Sequence, residues 1–113
     1  MNAVTPDAPV SAPLCAAPDA ATRKPNLSLP PLSCDSHAHI CGPVSRYAYS
    51  SARVYTPPDS LYPDYRAMLD TLGVARAVLV QPSVYGSDNT AMLDALALDP
   101  QRLRGVAVIT PDT

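Results

Sequence analysis

The chain has 113 residues, fourteen of them proline, and a formal net charge of −2 at pH 7. That length suits one small domain at most, and a near-neutral chain without runs of like charge excludes an electrostatic nucleic-acid footprint or a charged interaction tail. No stretch approaches the roughly 18 apolar residues of a membrane span, and three cysteines without paired spacing argue against a disulfide framework and for a reducing, cytoplasmic setting.

Residues 1–31 carry half of the prolines. Proline removes a backbone donor and pushes its predecessor towards extended geometry, so neither helix nor sheet propagates, and a disordered or extended leader is expected. The Ala-rich start does not read as a signal peptide. It has no basic n-region, and Pro6, Asp7, Pro9 and Pro13 interrupt any apolar centre.

The folded part, residues 32–113, is expected to open with a short strand over 32–40, "LSCDSHAHI". An irregular loop follows over 41–58. A helix over about 60–72 places Tyr65, Met68, Leu69 and Leu72 on one face, with Pro63 in the first turn and Gly73 as the C′ residue. "ARAVLVQP" (75–82) is a continuous apolar run that reads as a strand buried on both faces. After a loop, Ser87, Asp88 or Asn89 caps a second helix whose apolar face is Met92, Leu93, Leu96 and Ala97. "LRGVAVI" (103–109) reads as a third buried strand. Strands alternating with amphipathic helices imply right-handed parallel βαβ units. About three such units make up the N-terminal portion of a larger α/β architecture, because an eight-stranded α/β barrel takes about 250 residues.

The only two histidines, His37 and His39, stand one residue apart on the first strand. Strict alternation puts Asp35, His37 and His39 on one face and Cys34, Ser36, Ala38 and Ile40 on the other. Two imidazoles at i and i+2 can chelate one divalent cation, polarise a carbonyl, or supply a general base near neutral pH. Asp35 could then hold the far nitrogen of an imidazole. The competing reading of a bare HxH is a pair satisfied by nearby backbone. Cys34 and Cys41 lack CxxC spacing and read as small thiols rather than metal ligands.

The ordered series "DSHAHICGP", "RVYTPPD", "LGVARAVLVQPSVYGSDN" and "LRGVAV" resembles the amidohydrolase superfamily, in its amidohydrolase-related (type 2) branch of lactonase-like hydrolases. The resemblance covers residues 32–113. It implies a distorted (β/α)8 TIM-like barrel, truncated here to its first three βα units. It also implies opening of a small carboxylated lactone or ester by water attack. It assigns His37 and His39 to the substrate carbonyl, or to one zinc-like divalent metal where a member uses one. Lactonase-like members can work without metal. It assigns Tyr55 and Ser83 to substrate contacts, although Ser83 also suits a turn cap and Tyr55 loop packing. A further histidine, a water-activating aspartate and carboxylate-binding arginines fall after position 113 in that pattern, so the chain alone is expected to be inactive. The alternatives are a zinc-dependent decarboxylase of the same grouping and a non-catalytic truncated product.

Overall fold

The computed structural model describes residues 12–112, so the first part of the leader lies outside the described residues. Strands β1 (Cys34–Ala38), β2 (Arg76–Val80) and β3 (Leu103–Val106) form one parallel sheet in the order β1-β2-β3. Helix α1 (Tyr62–Leu72) joins β1 to β2, and α2 (Thr90–Leu98) joins β2 to β3 after a single 3-10 turn over Ser83–Tyr85. This is the expected βαβαβ order, with the three strands and α1 shorter than their sequence runs.

α1 starts with proline in its first turn and stops at Gly73, whose left-handed backbone (φ 78°) lets its N–H reach the Asp70 and Leu69 carbonyls. α2 has Asn89 as its N-cap, which makes no side-chain cap hydrogen bond. Asp88, one residue earlier, accepts from the Thr90 N–H and hydroxyl through Oδ1 and closes the turn that enters the helix. Both helices lie on one face of the sheet. Tyr62 and Leu69 of α1 and Met92 and Ala95 of α2 enclose a core with Ile40, Ala77, Leu79 and Leu103. The buried stripe of α2 is Ala91, Met92 and Ala95, with Leu96 packed at its margin. Leu93 and Ala97, expected to face inward, are exposed, because the helix is turned to bring Met92 and Ala95 over the sheet and Ala91 onto the cluster of Cys41, Val84 and Tyr85.

The third strand departs from expectation. β3 is buried only at Leu103, and Arg104 to Val106 are exposed. β3 is an edge strand, and among the described residues nothing covers the face opposite the helices. β2 shows the same asymmetry. Ala77 and Leu79 are fully buried beneath the helices, while Val78 and Val80 are half-buried on the open face.

Residues 12–31 contain no helix or strand of the sheet. Leu14 makes an isolated parallel bridge to Thr56, fixed by Cys15 N–H to Thr56 O (2.9 Å) and Thr56 N–H to Pro13 O (2.7 Å). The β1–α1 loop is closed at its base by the Cys41–Ser60 bridge. A second cluster under that loop comprises Cys41, Val84, Tyr85 and Ala91, with Tyr47, Tyr49 and Tyr55 packed on it.

Candidate active site

The pairing of β1 with β2 is not regular. Asp35 pairs with Ala77 and Ala38 with Leu79, so Ser36 and His37 together oppose Val78. That is a β-bulge, and it changes which side chains share a face. Asp35, Ala38 and Ile40 point to the helix side, as Ala77 and Leu79 do, while Ser36, His37 and His39 point to the open side. The strict alternation expected from sequence is therefore wrong for Asp35, which sits beneath α1. It is also wrong for Cys34 and Ser36, which lie on the open side with the histidines. Cys34 is exposed at the start of the strand opposite Arg76.

Asp35 is tied down at both oxygens. Oδ2 accepts from the Tyr65 hydroxyl of α1 (2.5 Å) and Oδ1 from the backbone N–H of His37 (3.2 Å). Burial, and then the bond to Asp35, push the Tyr65 hydroxyl far above the usual phenol range, so it remains a donor. Asp35 thus touches the backbone of the pair rather than an imidazole nitrogen.

His37 and His39 are exposed, with ring centroids 5.0 Å apart and ring planes near perpendicular (84°). His39 Nδ1 lies 2.8 Å from Val80 O. A carbonyl can only accept, so Nδ1 carries a proton, and in the neutral ring Nε2 is the nitrogen that keeps its lone pair. The bond also ties the end of β1 to the end of β2. The result is a pair of imidazoles at the C-terminal end of the sheet with at least one nitrogen available to a carbonyl, a proton or a cation.

Ser83 follows the same strand end, three residues after Val80, and is exposed at the start of the 3-10 turn. Tyr55 lies in the β1–α1 loop, half-buried against the second cluster, which includes Val84. Both thus border the β2–α2 turn, one exposed and one packed. Arg46 and Arg53 brace the loop. Arg46 stands 3.8 Å from Asp94, and Arg53 donates to Thr56 Oγ1 (3.2 Å) and Ser50 O (3.2 Å).

Sequence reasoning missed Gln81. Its side chain is buried, and its amide nitrogen donates to Gly86 O (3.1 Å) and Asp88 O (2.8 Å), fixing the turn that carries Ser83. A buried glutamine ending an apolar strand just before proline was the available signal.

The two histidines supply two nitrogen donors. Among the described residues no group of three or more His, Cys, Asp or Glu gathers, so this span suits part of a divalent-metal site and falls short of the four ligands of a closed one. A separate cleft lies away from the histidines. It measures about 260 Å³, between residues 17–22 and α1, beside Asp59, Asp64, Tyr65 and Met68. No described helix is long and apolar enough to cross a membrane.

Comparison with known proteins places this arrangement. The amidohydrolase family model matches residues 34–113. The chain is 38% identical over 100 residues to a 4-sulfomuconolactone hydrolase of Hydrogenophaga intermedia, covering 88% of the chain and 33% of that protein. It is 40% identical over 86 residues to a 2-pyrone-4,6-dicarboxylate hydrolase of Comamonas testosteroni, covering 76% of the chain and 28% of that protein. A solved structure from Acinetobacter baumannii, described as a probable 2-pyrone-4,6-dicarboxylic acid hydrolase with citric acid bound, superposes with a TM-score of 0.68. It is 32% identical and covers 73% of this chain and 30% of its own. The chain spans about a third of the length of these relatives. With its parallel βαβ sheet and the histidine pair at the strand end, the chain belongs to the amidohydrolase family.

Proposed function

We propose that residues 32–113 form the opening βα units of a distorted (β/α)8 barrel. In this reading the barrel opens a small carboxylated lactone in the cytoplasm by water attack on the ring carbonyl. The observation that carries the proposal is the pairing of His37 and His39 on the open face of the sheet, with the His39 tautomer set by Val80 O. The matched relatives are named as hydrolases of a muconolactone and a pyrone dicarboxylate, which supports the substrate class.

In this reading the pair orients and polarises the carbonyl, and His39 Nε2 is the nitrogen placed to hold or pass a proton. Ser83, exposed at the turn that Gln81 braces, contacts the substrate, and Tyr55 lines the loop above it. Where the complete site holds a divalent metal, His37 and His39 are its ligands from this span, and the metal supplies Lewis acidity.

The test is a chimera in which residues 34–113 replace the matching third of the Comamonas testosteroni hydrolase. The chimera is expected to hydrolyse a carboxylated pyrone lactone, followed by loss of pyrone absorbance. His39→Ala is expected to cut turnover about a hundredfold or more. Ser83→Ala is expected to act mainly by raising KM. A folded, active chimera indifferent to His37→Ala and His39→Ala would overturn the reading. The 113-residue chain alone is expected to show no turnover.

A further inference from the structure

The bulge in β1 poses a question that the active-site reading leaves open. A regular strand puts every second side chain on one face. If Asp35 faces α1, regular alternation would bring His37 and His39 beneath the helix as well, among Tyr62, Leu69 and Leu79. If the histidines face outward, regular alternation would drag Asp35 outward and away from Tyr65. The observed strand satisfies both demands only because one extra residue lies between Asp35 and Ala38.

An inserted residue leaves the ladder, and its backbone groups need other partners. Here the His37 N–H is taken by Asp35 Oδ1 at 3.2 Å, while Oδ2 is held at 2.5 Å by the Tyr65 hydroxyl. One carboxylate thus spans from the first turn of α1 to the bulged residue.

We propose that Asp35 is the positioning residue of the histidine pair. Anchored to α1 by Tyr65, its carboxylate holds the His37 amide in the bulge and so turns both imidazoles onto the open face. The inference rests on the reading of His37 and His39 as the working groups. It differs from the usual second-ligand role of a carboxylate, since Asp35 acts through the main chain and touches neither ring.

The chain has only two histidines, so every imidazole signal in an NMR spectrum reports on the pair. In the unaltered full chain a ring-to-ring NOE is expected between His37 and His39, together with slowed exchange of the His37 amide proton. Asp35→Ala is expected to abolish the ring NOE and to accelerate His37 amide exchange about tenfold or more. Asp35→Asn keeps an acceptor oxygen for the His37 N–H and an amide that can meet the Tyr65 oxygen, so it is expected to restore both signals. Tyr65→Phe removes one hydroxyl without disturbing the ring packing, and serves if Asp35→Ala does not fold. The freed carboxylate is expected to let His37 amide exchange rise several-fold. Unchanged His37 exchange in Tyr65→Phe, or a persistent ring NOE in a folded Asp35→Ala, would overturn the proposal. These readouts need no turnover. An inactive chimera with the expected spectra therefore counts against the hydrolase reading alone, and an active one with unchanged spectra counts against the clasp alone.

Discussion

Gly42 sits two residues past the end of the site strand's last buried contact partner, Ile40, and its backbone is left-handed (φ +89°). A Cβ there would fall 2.2 Å from Asp59 Oδ1 and 3.3 Å from the Asp59 Cα. The carboxylate can swing away, but the main chain cannot, and the φ is unfavourable for any L side chain. The Gly42 N–H also donates to the buried Tyr85 hydroxyl at 2.7 Å. Gly42→Ala is therefore expected to cost roughly 1–3 kcal/mol of local stability. The readout is proteolytic cleavage within residues 44–58, which should quicken on the order of tenfold, because cleavage follows the population of the opened loop. Its neighbour Cys41 carries a pH signature. Burial, with Asp59 and Cys15 nearby, pushes its thiol up to about 11 from 9.0. A group whose folded value is raised contributes stability that is complete below the unfolded value and lost as pH rises through the folded one. The loop cluster should weaken between pH about 9 and about 11, and Cys41→Ala should flatten that decline in a denaturation series. At pH 8, Cys15 and Cys34, both exposed, should alkylate quickly and Cys41 slowly.

Among the elements, the junction of α1, β2 and β3 depends on one arginine. Arg102 donates to Ala75 O (3.0 Å) and Val74 O (2.8 Å) and lies 2.7 Å from Asp70 Oδ1. Asp70 is 60% exposed and Arg102 only 19%, so solvent screens the ion pair while the carbonyl bonds are sheltered. Magnitudes separate the two. Arg102→Ala should lower the urea midpoint by the equivalent of about 1.5–3 kcal/mol, and Asp70→Ala by less than about 1. Lysine at 102 should not restore the loss, since an ammonium cannot match the forked donors. The strands and helices themselves were legible from the residues. Pro63 and Gly73 bracket α1 as their chemistry requires, and the Val-rich run of β2 could be nothing else at that length. The bulge was not legible. "DSHAH" alternates as cleanly as any strand, and only pairing with β2 shows that two residues of β1 face one of its partner. That single insertion moved Asp35 away from the histidines. The exposure of β3 is hidden for a related reason, since an apolar run reports a buried environment without saying what buries it. Helical periodicity admits Leu93 to the inner face as readily as Ala91 and Ala95, and small buried residues leave no stronger mark in sequence than leucine does.

At the scale of the molecule, the sheet is finished on one side only. On the open face Val78 and Val80 are half-buried and Val106 is 52% exposed, and just beyond β3 Val108 and Ile109 are 41% and 72% exposed. β3 adds the backbone of an edge, blunted by Arg104 and by Asn89, whose side chain pairs with both backbone groups of Val108 at 2.9 and 3.0 Å. Exposed apolar surface beside an open edge favours association, and one covered face gives a parallel sheet too little burial for a sharp transition. Far-UV circular dichroism of the 113-residue chain is accordingly expected to change broadly with urea. Sedimentation should show species larger than monomer as concentration rises. Val78→Lys and Val106→Lys together, both on the open face and away from the helix-covered core, should suppress that association while leaving the helical signal in place. A concentration-independent monomer with a steep two-state transition would mean that the helix-covered core carries the fold without the open face being covered.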